Sequence, residues 1–179
     1  MGGVRVQGPV GSKFEVADWK REVDTLERLQ HDHIIRVRMS FMSPRPEISL
    51  EFMHGGSLYD QHKASPFTFE ECCEILRQCL TALVYLHGRT PPVAHRDLKP
   101  ANILVQSRRP LYVKLGDFGA AKAGAFATRL GTYAWAAPEM QPDAPQRPYT
   151  ERVDFFSLGA TVLDLGYGRP RNKYGKGLS

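Results

Sequence analysis

The chain of 179 residues is long enough for one ordinary domain with a substantial core. Its hydrophobic content of 42% and aromatic content of 10% exclude an intrinsically disordered chain and indicate a globular protein. A net charge of +5 would suit nucleic acid or an acidic partner. The basic residues are scattered, however, apart from a loose cluster near the C-terminus, so we expect a solvated tail and no nucleic-acid binding.

Neither a membrane span nor a targeting segment is expected. No apolar run approaches the ~18 residues of a transmembrane helix, and the N-terminus lacks the hydrophobic region of a signal peptide. Val6 stands where an N-myristoylation motif requires Ser or Thr. The three cysteines, Cys72, Cys73 and Cys79, fit reduced, mostly buried thiols better than disulfides or a metal site. We predict an intracellular protein, cytoplasmic or nuclear, without membrane association.

The first third of the chain predicts one helix and two strands. Residues 1–17 show no clear period. Asp18 can cap a helix that runs to about Leu29, because apolar residues recur there at helical spacing. Two strands, Ile34 to Phe41 and Ile48 to Phe52, follow on either side of a Ser-Pro-Arg-Pro turn.

The remainder of the chain predicts two apolar helices and a hairpin. Thr68 and the glutamate three residues later form a capping box at the start of an apolar helix, which Gly88 ends. Short apolar runs on either side of Arg108-Arg109-Pro110 predict a hairpin. A second apolar helix begins at Asp154 and runs to about Leu165.

Three short motifs carry the chemical information. The first runs from His95 to Asn102 and places a carboxylate, an ammonium and a carboxamide on one segment, which its proline keeps out of a regular ladder. A loop of this kind can bring three polar groups to one point. The motifs Asp117-Phe118-Gly119 and Ala137-Pro138-Glu139 follow, in the order that phosphoryl-transfer catalysis uses.

Together these motifs resemble the catalytic loop, the metal-binding loop and the end of the activation segment of eukaryotic protein kinases. Lys99 resembles the lysine that accompanies serine and threonine substrates in this family. The resemblance implies an α+β, two-lobed fold, with a partial small lobe and hinge at 1–53 and a partial, mainly helical large lobe at 54–179. The chain would then be a domain truncated at both ends. The implied activity is phosphoryl transfer from ATP, with Mg²⁺, to serine or threonine hydroxyls of protein substrates.

The resemblance also implies a role for each polar residue of the motifs. Asp97 would orient the substrate hydroxyl and accept its proton. Lys99 would neutralise charge on the transferred phosphoryl group, and Thr132 would hydrogen-bond Asp97 and Lys99. Asn102 and Asp117 would be metal ligands, since their hard oxygens suit a Mg²⁺ that bridges ATP oxygens.

A nucleotide site is implied in the same way. Leu50 would lie at the back of the adenine pocket, and Glu51 and Met53 would offer backbone groups to adenine. Leu104 would contribute to the same cofactor site. Glu22, on the first helix, would pair with the strand lysine that holds the ATP phosphates.

Regulation is implied at two positions. Thr128 stands where many relatives are phosphorylated, which would make an upstream activating kinase a partner. Arg96 would be one partner for that phosphate. His95 and Phe118 resemble two members of the hydrophobic column that links the two lobes.

The chain departs from the family pattern in residues 1–17, which contain no G-x-G-x-x-G. Lys13 lies too close to the first helix to be the strand lysine, so we expect the glycine-rich lid and its lysine upstream of Met1. A catalytically inactive kinase-like binding module is therefore an alternative, although the intact polar residues of the motifs oppose it. A small-molecule phosphotransferase is a third interpretation, which the segment from Thr132 to Ala137-Pro138-Glu139 disfavours.

Overall fold

The computed structural model describes residues 3–7, 20, 23–41, 47–119, 121–123, 134–141 and 148–168. Within these ranges helices and strands are mixed, which confirms the α+β class predicted from the sequence. No helix of the described ranges is both long enough and apolar enough to cross a membrane.

The described ranges contain seven strands and four helices. The strands are β1 (Gly3–Gln7), β2 (Val37–Phe41), β3 (Glu47–Glu51), β4 (Val93–Ala94), β5 (Ile103–Arg108), β6 (Leu111–Leu115) and β7 (Lys122–Ala123). The helices are α1, helical at residues 20 and 23–27, α2 (Leu58–Ala64), α3 (Phe69–His87) and α4 (Val153–Tyr167). Single 3-10 turns occupy Pro100–Asn102 and Pro138–Met140.

Three antiparallel strands form a sheet in the order β1-β3-β2. The two predicted strands are confirmed with shifted ends, since β2 begins at Val37 and β3 ends at Glu51. Ile34, predicted as the start of β2, instead forms an isolated parallel bridge with Leu115 of β6. The sheet and the β5-β6 hairpin are therefore joined through the residues that precede β2.

Strand β1 was not predicted, because residues 1–17 show no period in the sequence. It pairs with β3 along its whole length, from Gly3 opposite Glu51 to Gln7 opposite Glu47. Val4 and Val6 alternate with polar residues, which suits a strand, but the run is too short to predict one alone. Pairing with β3 defines where the strand lies.

Helices α2 and α3 both begin at capping boxes. Ser57 Oγ accepts from the Asp60 N–H at 3.2 Å, and the Asp60 carboxylate accepts from the Ser57 N–H at 3.2 Å. Thr68 and Glu71 form the same reciprocal pair at the start of α3, as predicted. These caps fix where each helix begins, and Gly88 caps the end of α3 as predicted.

One hydrophobic cluster joins α1, the sheet, α3, the β5-β6 hairpin and α4. Leu98, in the middle of the first motif, belongs to it and is buried, so the loop that carries the polar residues is anchored in the core. Helix α4 buries Leu158 and Leu165, whereas Phe155 (42%), Phe156 (47%) and Leu163 (57%) are exposed. All three cysteines are free thiols, with Cys72 and Cys79 buried and Cys73 exposed.

Arg108, at the end of β5, links the hairpin to the start of α3. Its guanidinium donates two hydrogen bonds to the Glu71 carboxylate, at 2.8 and 2.9 Å. It also donates to the backbone carbonyls of Ser65 (2.8 Å) and Pro66 (3.0 Å) and lies 4.4 Å from the centre of the Phe67 ring. These hydrogen bonds lower the pKa of Glu71 from 4.5 to about 2.

Replacement of Arg108 by alanine should lower the free energy of unfolding at pH 7 by about 1.5 to 3 kcal/mol, because a bidentate, charge-assisted contact is lost. Since the pKa of Glu71 is depressed in the folded state, the contribution is present above its unfolded value of 4.5 and is lost as the pH falls towards about 2. Urea unfolding at pH 7 and pH 3 checks this.

The matched control is Arg77→Ala, which removes an ion pair with Glu74 whose side chains are well exposed. Exposed pairs contribute little, so this variant should unfold like the unsubstituted chain at both pH values. An Arg108→Ala variant that keeps the full pH dependence would contradict the assignment.

Candidate active site

The His95–Asn102 segment connects β4 to β5 and turns through the 3-10 turn at Pro100–Asn102. Arg96 has a φ of 67°, a left-handed conformation that is uncommon for a residue with a side chain. Such an outlier persists only where the surrounding contacts determine it, and outliers of this kind cluster at functional sites. The surrounding contacts therefore hold the loop in one conformation.

The three polar residues predicted in this loop do meet. Lys99 Nζ lies 2.8 Å from Asp97 Oδ2, and both side chains are largely but incompletely buried. Asn102 Nδ2 donates to the same Asp97 oxygen at 2.9 Å and to the Asp97 backbone carbonyl at 2.8 Å. A carboxylate held by an ammonium and a carboxamide points in a fixed direction.

Gly116, the residue before Asp117, is hydrogen-bonded to both ends of this loop. The Gly116 N–H donates to the Asn102 carbonyl at 2.9 Å, and the Gly116 carbonyl accepts from His95 Nε2 at 2.9 Å. Asp117 follows at once, with an exposed side chain and a φ of 54°. The structure thus places the second motif directly beside the first.

Leu104 packs closely against the backbone of Gly116. A Cβ on Gly116 would lie 2.7 Å from Leu104 Cδ1, closer than real Cβ atoms approach. The Leu104 side chain therefore lies against the turn that carries Asp117. Leu50 packs against the same hydrophobic cluster as Leu104, so the two predicted apolar nucleotide contacts border one core.

The segment after β3 runs along β5. Its Gly55 N–H donates to the Val105 carbonyl at 2.8 Å, and the Val105 N–H donates to the Gly56 carbonyl at 2.8 Å. A Cβ on Gly55 would lie 2.8 Å from the Val105 carbonyl oxygen, so glycine permits this approach. Met53, one of the two predicted adenine contacts, is buried at the start of this segment.

The Glu51 side chain has a contact that the sequence did not predict. Its Oε1 lies 2.6 Å from Lys114 Nζ of β6 and accepts from the Arg36 N–H at 2.8 Å. Lys114 precedes Asp117 by three positions. The end of β3 and the strand that leads to Asp117 are thus joined by a largely buried ion pair.

The donor set fits a magnesium ion that is bound together with phosphate. Asn102 uses its Nδ2 on Asp97, so its Oδ1 is the side-chain atom that can face a cation, and Asp117 supplies a carboxylate. Mg²⁺ prefers one or two carboxylates completed by substrate phosphates and water. In the described part of the chain no cluster of three or more His, Cys, Asp or Glu could hold a metal without such help.

Residues 9–177 match the family model described as the protein kinase domain. The chain belongs to the protein kinase family. The predictions of this family and of its serine/threonine type are confirmed, since the matched relatives include proteins named serine/threonine-protein kinase.

Three relatives illustrate the similarity of the kinase chain to known proteins. Mitogen-activated protein kinase kinase kinase 3 of Arabidopsis thaliana is 38% identical over 165 residues, which cover 89% of this chain and 26% of that protein. Serine/threonine-protein kinase ppk11 of Schizosaccharomyces pombe is 37% identical over 170 residues (89% and 51%). Calcium/calmodulin-dependent protein kinase type 1 of Macrobrachium nipponense is 36% identical over 158 residues (83% and 44%). The chain spans between about a quarter and a half of these relatives.

Asp154 of α4 holds the His95–Asn102 loop, a contact that the motifs did not predict. It is fully buried, and its two carboxylate oxygens accept from the N–H groups of His95 and Arg96, each at 2.8 Å. His87 Nε2 lies 2.9 Å from the same carboxylate. Two fixed consecutive N–H groups explain how Arg96 keeps its left-handed backbone.

Some of the remaining predicted residues lie in the described part of the chain, and others do not. The rings of His95 and Phe118 lie 4.7 Å apart, and Arg96 is buried with its Nη1 3.4 Å from the Tyr149 hydroxyl. Three predicted positions lie outside the residues that the structure describes, namely Glu22, Thr128 and Thr132.

Proposed function

We propose that this kinase domain transfers the terminal phosphoryl group of ATP to serine and threonine hydroxyls of protein substrates. The observation that carries the proposal is the meeting of Lys99 and Asn102 on the Asp97 carboxylate, beside a turn that presents Asp117. In phosphoryl transfer the protein contributes mainly positioning and charge stabilisation, and this arrangement supplies both.

Each polar side chain then has one task. Asp97 orients the attacking hydroxyl and accepts its proton, since its carboxylate is held by two donors. Lys99, whose ammonium lies 2.8 Å from that carboxylate, neutralises charge on the transferred group. Asn102 and Asp117 hold Mg²⁺, which when bound neutralises charge on the phosphate oxygens.

The nucleotide base is proposed to lie between the sheet and the hairpin. Leu50 and Leu104 supply apolar contacts, because both border the core beside the Asp117 turn. Backbone groups of Glu51 and Met53 receive adenine. The Glu51 N–H already donates to the Arg36 carbonyl, so adenine hydrogen-bonds to the Glu51 carbonyl and to the Met53 N–H.

Further parts of the proposal concern the residues that the family resemblance assigns. Glu22 pairs with a strand lysine, and Thr132 hydrogen-bonds Asp97 and Lys99. Thr128 is phosphorylated, and Arg96 binds the phosphate. The lobes divide at residues 53 and 54, and an upstream kinase acts as a partner. Support for these assignments comes from the family alone.

Replacement of Asp117 by asparagine should abolish Mg²⁺-dependent transfer, because the change removes the carboxylate charge from the metal site. The assay follows the γ-phosphate of ATP into peptides that contain serine, threonine or tyrosine, with the full-length protein. Incorporation into serine and threonine peptides is expected, and EDTA should stop it.

Asp32→Asn is the matched control, since that side chain is exposed on the turn before β2. This variant should transfer phosphate at the rate of the unsubstituted protein. A protein that binds ATP but phosphorylates no peptide, with or without Mg²⁺, would favour a binding module and overturn the proposal.

A further inference from the structure

Gln78 of α3 makes a strand-like contact with β6. Its side chain is 2% exposed, its Nε2 donates to the Leu111 carbonyl at 2.8 Å, and its Oε1 accepts from the Val113 N–H at 2.8 Å. A neighbouring strand would offer one donor and one acceptor to alternate residues in the same way. The carboxamide therefore replaces a missing strand at this edge.

Residues 33–35 extend this contact along β6. The Val113 carbonyl lies 2.8 Å from His33 Nδ1, and the Leu115 N–H donates to the His33 carbonyl at 2.9 Å. The Leu115 carbonyl accepts from the Ile35 N–H at 2.8 Å. The edge of β6 that faces away from β5 is thus bonded from Leu111 to Leu115.

The edge of β6 that pairs with β5 is less regular. Its pairing with β5 shifts register between Val105 and Ser107, opposite Val113 and Tyr112. A bulge disrupts the ladder locally and leaves a residue unpaired. Gln78 holds β6 at Leu111 and Val113, which is where the bulge weakens the ladder.

The register of this hairpin sets the distance between the two proposed metal ligands. Ile103 pairs with Leu115, and the next residues, Asn102 and Gly116, are joined by the 2.9 Å hydrogen bond that precedes Asp117. We propose that Gln78 is a positioning residue for the Asn102–Asp117 metal site, which it acts on through β6. This inference rests on the proposed kinase function.

Gln78→Met keeps the length and volume of the side chain but removes its donor and acceptor. The free Mg²⁺ concentration for half-maximal phosphoryl transfer should rise about 10-fold, as for the loss of an outer-shell partner of a metal site. The measurement is a Mg²⁺ titration of the full-length protein at saturating ATP. A second readout is hydrogen exchange at the Gly116 amide, which should become faster.

Arg108→Ala is the control, because it also releases a contact between α3 and the hairpin, and the hydrogen bonds of the lost side chain go to Glu71, Ser65 and Pro66, outside β6. It should lower the melting temperature, leave the Mg²⁺ requirement unchanged, and speed Gly116 exchange only as far as its loss of global stability does. If Gln78→Met lowers the melting temperature in the same way, with the same Mg²⁺ requirement and the same Gly116 exchange rate as Arg108→Ala, the residue is merely structural and the inference is wrong.

Failure of the proposed function is distinguishable. In that case the unsubstituted protein shows no Mg²⁺-dependent transfer, and the exchange rate of the Gly116 amide alone decides. Faster exchange in Gln78→Met than in Arg108→Ala would support positioning of the turn by Gln78. Equal exchange rates in the two variants would overturn it.

Discussion

Asp97→Asn should lower the turnover rate of phosphoryl transfer by about 10²- to 10⁴-fold, the usual contribution of a positioned general base. The asparagine keeps the size of the side chain but carries no negative charge, so it cannot accept the proton of the substrate hydroxyl. The affinity for ATP with Mg²⁺ should stay close to that of the unsubstituted protein, because Asn102 and Asp117 are retained. Turnover and calorimetric affinity, measured on the same preparation, test both statements.

Asp32→Asn again serves as the control, since it makes the same chemical change at an exposed position. Two outcomes would contradict the role of Asp97. One is an Asp97→Asn variant that retains its turnover. The other is a variant that loses turnover only because it no longer binds the nucleotide.

Asp154→Ala should have the largest effect on stability, about 3 to 5 kcal/mol, because it leaves buried donors without their acceptor. Those donors are the N–H groups of His95 and Arg96, with His87 Nε2 beside them. A typical domain has a free energy of unfolding of ~5 to 15 kcal/mol, so much of the stability would be lost. Urea unfolding of the purified variant is the measurement.

Asp154→Asn provides a milder variant in case the alanine does not fold, because one side-chain oxygen can still accept a backbone N–H. It should unfold between the alanine variant and the unsubstituted protein. Leu163→Ala is the control on the same helix, since that side chain is 57% exposed. Equal unfolding of Asp154→Ala and Leu163→Ala would show that the buried carboxylate does not hold the loop.

Local signals in the sequence were sufficient for much of the fold. The Thr68 capping box and the hairpin on either side of Arg109 depend on residues close in sequence, and both are confirmed. The convergence of Lys99 and Asn102 on Asp97 is also local, because one short loop carries all three. Contacts of this range leave a signature in residue type and spacing.

Contacts between distant segments were not predictable in the same way. Asp154 lies far along the chain from His95 and Arg96, and its carboxylate accepts hydrogen bonds from their N–H groups. The available signal was a lone acidic residue in the first turn of an apolar helix. The spacing of residues along the chain does not predict which distant N–H groups such a carboxylate contacts. The Glu51 ion pair with Lys114 and strand β1 likewise depend on how separate elements pair.

Metal-dependent binding of ATP at this site is tested most directly by calorimetry on the full-length protein, with Mg²⁺ and with EDTA. We expect ATP to bind more tightly with Mg²⁺, and Asp117→Asn to lose that difference. A protein that does not bind ATP, or that binds it equally with and without the metal, would contradict the proposed kinase function.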